Sequence, residues 1–122
     1  MALDHATTLS LARIVVGAAA WASPELSLKS AMLDPAAPQS PYLLRLFGAR
    51  DMALGLVTLL AAPEYKRALL GVGLAVDGAD AAAAVLAVQK KAVEPVAGAV
   101  LAAGAGAAIL AGLVAVGQQG KP

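Results

Sequence analysis

Four long apolar runs, each cut off by proline or by a cluster of charge, organise this chain. The first covers Ala6 to Ser23, with Thr7 and Thr8 as candidate caps and Pro24 as its stop. The second, Tyr42 to Ala62, lies between Pro41 and Pro63; the third covers Lys66 to Val88; the fourth runs from Val93 to Gly117, with Pro95 in its first turn. No period-two alternation persists, and alanine tracts such as Ala81 to Ala84 disfavour strands. The runs therefore predict helices. Twenty residues at about 1.5 Å each cross a hydrocarbon core of about 30 Å. Runs two to four are long enough to span, whereas run one is short and starts in the headgroup region.

In lipid, only helices and closed barrels satisfy the backbone. The expected fold is thus all-α: a polytopic membrane protein, one four-helix antiparallel bundle over residues 1–122. Short connections at Pro63–Lys66 and Gln89–Ala92 make the second, third and fourth predicted helices antiparallel neighbours. The longest connection, Pro24 to Pro41, holds Pro35 and Pro38 but also Leu26, Leu28, Met32 and Leu33. That pattern suits a short amphipathic piece lying at the interface. Small residues recur at helical spacing: Gly48 and Gly55; Gly71, Gly73 and Gly78; Gly104, Ala108 and Gly112. Such spacings let backbones approach closely, with tight packing inside the bundle as the first expectation and a homo-oligomer contact as the second.

Composition sharpens this picture. Hydrophobic residues make up 60% of the chain and charged ones 14%, too few for the polar shell of a soluble domain. A multi-pass membrane protein, in the cell membrane, is the expectation. The net charge of +1 leaves no basic footprint for nucleic acid. Without cysteine there is no disulfide or thiolate chemistry, and the single His5 excludes a multi-histidine metal cluster. No cofactor motif is present: Gly71–Val72–Gly73 lacks the lysine of a phosphate loop. The first eight residues have no basic segment, so no signal peptide is expected. Trp21 and Tyr42 fall at helix ends, as interfacial aromatics do. Lys66, Arg67 and Lys121 collect on one side, and Lys29, Arg45, Lys90 and Lys91 on the other. This near balance sets orientation only weakly, toward both termini outside.

Five ionisable residues break the apolar runs: Arg13, Arg50, Asp51, Asp77 and Asp80. At a membrane-helix centre each costs about 2.5–3.5 kcal/mol unless paired or turned inward. Counting helical rise puts Arg13 about 10 Å, Asp77 about 16 Å and Asp80 about 20 Å below one face; Arg50 and Asp51 enter from the other and lie about 18 Å below the same face. One polar layer shared by three helices follows, with the fourth as an apolar buttress. Asp77 and Asp80 share a face, so they are expected to titrate as a pair and to hold a proton-carrying group. Two arginines against three aspartates leave one carboxylate uncompensated, so either one carboxyl stays protonated or a cation, proton or substrate group completes the set.

The run Arg45-Leu-Phe-Gly-Ala-Arg-Asp-Met-Ala-Leu-Gly55, with Arg13-Ile-Val-Val-Gly17 and Asp77-Gly-Ala-Asp80, resembles a family of small uncharacterised four-helix membrane proteins. That family carries R-x-x-G-x-R-D-x-x-L-G on its second helix, an arginine followed by a glycine on its first, and aspartates on its third. The likeness covers nearly the whole chain and implies the same fold and charged residues, but no activity. A looser likeness to DoxX-like four-helix proteins rests on size and on the first helix.

Three functions compete at this stage. The first is a non-enzymatic membrane protein that binds an apolar small molecule or a proton, or serves as an accessory subunit of a larger membrane complex. The second is an embedded acid–base enzyme, in which an aspartate activates water, an arginine orients it and a protonated aspartate donates, opening an epoxide or moving a double bond. The third is a structural or oligomerising subunit whose charges pin helix register. Ser10, Ser23 and Thr58 lack a neighbouring histidine, so a serine-type nucleophile is not expected.

Overall fold

A computed structural model describes residues 4–30, 32–33 and 40–119, and these are helical throughout apart from the connections. Five helices follow in order: α1 (His5–Ala22), α2 (Pro24–Ser30), α3 (Ser40–Leu60), α4 (Pro63–Gln89) and α5 (Pro95–Gln119). Pro35, Pro38 and Lys121 lie outside the described residues.

The long helices match the four apolar runs, but their ends differ. Asp4, rather than Thr7 or Thr8, caps α1: its Oδ1 accepts from the Thr7 backbone N–H at 2.7 Å. That backbone hydrogen bond holds the Asp4 carboxyl below its ordinary range. Pro24 and Pro63, taken as stops, each open a helix instead, and Pro95, placed in the first turn of its helix, is its first residue. The first helical position needs no N–H donor, and proline's fixed φ already suits it. Helix α4 consequently begins three residues earlier than the charge at Lys66 suggested, and only Ala61 and Ala62 separate it from α3.

The amphipathic piece in the long connection is the fifth helix, α2. Ser23 closes α1 through its N–H to the Ala19 carbonyl at 2.8 Å. Pro24 then forces Ser23 out of helical geometry, and the chain turns by 114° into α2. Leu28 is buried against the bundle, while Leu26 points outward.

Contacts fix the directions of the long helices. Gly17 meets Gly48, and Ser10 meets Gly55, so α1 and α3 are antiparallel. Gly112 meets Leu74 and Gly98 meets Val88, so α4 and α5 are antiparallel. The His5 N–H donates to Gln118 Oε1 at 3.1 Å, and Ala6, Leu70 and Ala115 form one buried cluster, which joins the start of α1 to α4 and the end of α5. The most extensive packing is α1 on α3 and α4 on α5; α3 and α4 touch far less despite their short connection.

Polarity runs opposite to that of a water-soluble domain. The buried polar residues are Ser10, Arg13, Asp51, Thr58 and Asp77, and the buried apolar ones are mostly alanine. Large apolar side chains face outward on every long helix, among them Val15, Leu60, Leu86 and Leu110. Helices α4 and α5 are each long and apolar enough to cross a membrane. Helix α1 reaches that standard only together with α2, and α3 does not reach it, because Arg45, Arg50 and Asp51 interrupt it. Two of the four expected spans are therefore evident from length and composition.

Candidate functional site

Spacing on α1 sets the site. Ser10, Arg13 and Gly17 lie three and four residues apart and are all buried, so Arg13 projects from the face that packs on α3. On α3, Gly48, Asp51, Gly55 and Thr58 form the matching face. The glycines remove side chains where the helices cross, and Arg13 and Asp51 meet between the crossings. Arg13 Nη1 donates to Asp51 Oδ1 at 3.0 Å and to Asp77 Oδ1 at 3.1 Å, while Nη2 donates to Asp77 Oδ2 at 2.5 Å. Arg13 thus forks onto Asp77 and shares one nitrogen with Asp51, tying α1, α3 and α4 together. All three residues are at most 9% exposed. Gly73, one turn before Asp77, makes room, since a Cβ there would lie 3.0 Å from Arg13 Nη2.

Arg50 and Asp80 form a second pair, Nη2 to Oδ2 at 2.7 Å. It is much more open, with side chains 41% and 34% exposed. The Arg50 guanidinium also lies over the Phe47 ring, 5.2 Å from its centroid, a cation–π contact from one helical turn away.

All five residues singled out from the sequence therefore engage one another, with a different division of labour. Asp77 and Asp80 were expected to act as a pair. Each is instead taken by a different arginine, because a three-residue step leaves two side chains about 60° apart around a helix, enough to aim them at different neighbours. Asp51 and Asp77 are the carboxylates that share one cation, so the excess negative charge lies around Arg13.

A half-open cavity of about 680 Å³ adjoins this network. Asp51, Asp77 and Asp80 form its acidic floor beside Arg13; alanine and glycine of α4 and α5 form much of its walls. Here the small residues of α5 part company with the packing expectation. Gly112 does pack tightly, on Leu74, but a Cβ on Gly104 would meet no atom within 4 Å. Gly104 and Ala108 line the cavity. Helix α5 is thus a cavity wall as well as a buttress.

One feature escaped the sequence reading. Arg45, placed among the interfacial charges, donates from Nε to the Trp21 carbonyl at 3.0 Å and stacks over the Trp21 ring at 5.6 Å. It caps the end of α1 while Gly48 receives that helix one turn on. The motif itself was the signal: Arg45, Gly48, Asp51 and Gly55 recur at steps of three and four, and each touches α1. Gly73, by contrast, was among the small residues read as allowing close approach, and the neighbour it admits is the Arg13 side chain.

Chemically, the floor is an acceptor surface. Both Asp77 oxygens are held by Arg13, whereas Asp51 Oδ2 and the second oxygen of Asp80 accept no hydrogen bond among the described residues. Among those residues no three His, Cys, Asp or Glu side chains converge on a metal-binding arrangement. No protein-family model, curated protein or solved structure matches this chain.

Proposed function

We propose that this chain is a four-span integral membrane protein that binds an apolar small molecule in the cavity between its helices, above the Arg13–Asp51–Asp77 network. The observation that carries this reading is the cavity itself. Charges that served only to pin helix register would need no adjoining space, yet about 680 Å³ opens beside them, a volume typical of small-molecule sites. Its few polar groups gather at one end under apolar walls, as in sites that orient a ligand by its head.

Four spans are supported by the outward apolar side chains on α1 and α3 as well as on α4 and α5. The charges that interrupt α1 and α3 within the apolar layer, Arg13, Arg50 and Asp51, are each paired with a partner on another helix.

Topology gives the first test. The chain has no cysteine, so single introduced cysteines report cleanly. His5→Cys and Glu64→Cys should react with a membrane-impermeant maleimide from one face, and Lys29→Cys and Lys90→Cys from the other. Labelling of Lys29→Cys and Glu64→Cys from the same face would mean that α3 does not cross. The binding reading has its own test. Protein extracted with its surrounding lipid should retain a bound apolar small molecule on native mass spectrometry. Ala108→Phe, which fills the cavity from α5, should lose it. Equal retention by both forms would refute the cavity as the site.

A further inference from the structure

We infer that the cavity takes a lipophilic primary amine in its protonated form, with the ammonium against Asp51 and the tail along α5; this rests on the binding-cavity reading above.

Charge is the first reason. Arg50 answers Asp80, but Arg13 alone answers both Asp51 and Asp77. The network holds one carboxylate more than it holds guanidinium groups. An incoming anion would meet two arginines already committed to carboxylates. A monocation brings the cluster to neutrality.

Geometry is the second. Asp51 is 6% exposed, and its Oδ1 accepts from Arg13. Its Oδ2 accepts nothing from the described residues, yet it is not sealed away: among them no fully enclosed side-chain oxygen or nitrogen lacks a partner. Asp51 borders the cavity, so this oxygen is an acceptor within reach of an occupant. Asp77 offers no equivalent, since Arg13 holds both of its oxygens. Asp80 has an unengaged oxygen, but Arg50 already matches its charge. An ammonium presents three N–H donors and no acceptor, which suits the unengaged acceptor oxygen of Asp51.

Shape is the third. Away from the acids the lining is apolar, with Ala84 and Ala87 on α4 and Val100, Leu101 and Gly104 on α5. From the level of Asp77 to that of Ala87 the cavity wall rises about 15 Å at about 1.5 Å per residue. A straight alkyl chain of about a dozen carbons suits that length.

The test uses the full chain in discs of zwitterionic lipid, with native mass spectrometry counting bound dodecylamine, dodecanol or dodecanoate. One dodecylamine should bind per chain, about tenfold tighter than dodecanol or dodecanoate. Asp51→Asn should abolish that preference while dodecanol still binds, which also reports that the cavity is intact. Equal affinity for amine and alcohol in the wild-type chain, or a preference for dodecanoate, would overturn the inference while leaving the cavity reading in place. If none of the three binds the wild-type chain better than it binds Ala108→Phe, the cavity reading itself falls.

Discussion

Arg13→Leu should destabilise the fold by about 3–5 kcal/mol, the usual cost of leaving a buried charge without its partner. The loss is large because two carboxylates are orphaned together. Asp77 loses a two-pronged clamp and Asp51 loses the one hydrogen bond it accepts from the described residues. Both are buried, at 4% and 6% exposure, so water entering from the adjoining cavity would replace the guanidinium's hydrogen bonds but not its charge. Arg13→Lys should recover only part of the loss, because a single ammonium cannot reproduce the planar fork. The triple variant Arg13→Leu, Asp51→Asn, Asp77→Asn should recover most of it, since removing all the charges also removes their desolvation cost. Equilibrium unfolding in mixed micelles measures each step. If the triple variant were no more stable than Arg13→Leu, the charges would not be the source of the loss. Arg50→Leu should cost less than Arg13→Leu, because the Arg50–Asp80 pair is more than a third exposed.

Gly48→Ala should cost about 3 kcal/mol, at the upper end of what one extra methyl group does in a packed interior. A Cβ at Gly48 would stand 2.5 Å from the Gly17 carbonyl oxygen, and backbone cannot swing aside as a side chain can. To accept it, α1 must back away from α3, which also stretches the Arg13–Asp51 contact between the two crossings. Gly55→Ala meets the Ser10 carbonyl oxygen at the same distance and should behave alike. Gly104→Ala is the control. It meets nothing within 4 Å, so the better helix propensity of alanine should leave it neutral or stabilising by up to about 1 kcal/mol. The same chemical change is thus costly at one position and harmless or favourable at the other. Equal melting behaviour of Gly48→Ala and Gly104→Ala would refute the close α1–α3 crossing. Gly17→Ala combined with Gly48→Ala should cost less than the sum of the two, because both relieve themselves by the same separation of helices.

These two expectations locate different properties of one interface. The glycines decide how close α1 and α3 come, and Arg13 decides what they enclose. The network also crosses to α4, so the α1–α3 pair and the α4–α5 pair are joined by charge at a level where small residues give little apolar packing. Such a design leaves space beside the ion pairs, and that space is the cavity.

Much of this was legible along the chain. Apolar runs between prolines located four helices, since helix length and hydropathy are local properties. Steps of three and four placed Arg13 with Gly17, and Asp51 with Gly48 and Gly55, on single faces. Rise per residue set Asp51 and Asp77 at similar depths, with Arg13 about 6–8 Å shallower but within side-chain reach, and contacts of 2.5–3.1 Å now join the three. The prolines were harder to read, because one residue type both ends a helix and begins the next. At Pro63 only the chain's next turn decided between the two.

The sequence by itself determined the long helices and the faces that carry the charges, because each follows from spacing along one axis. Only the tertiary structure decided which arginine takes which aspartate, since that depends on the rotation of each helix about its axis against its neighbours. It alone separated Gly112, which packs on Leu74, from Gly104, which meets nothing. Identical residues on one helix differ there because the distance between helices is a property of the whole bundle. For the same reason the cavity, and the placement of the excess carboxylate on its floor, are set only once all four long helices are in place.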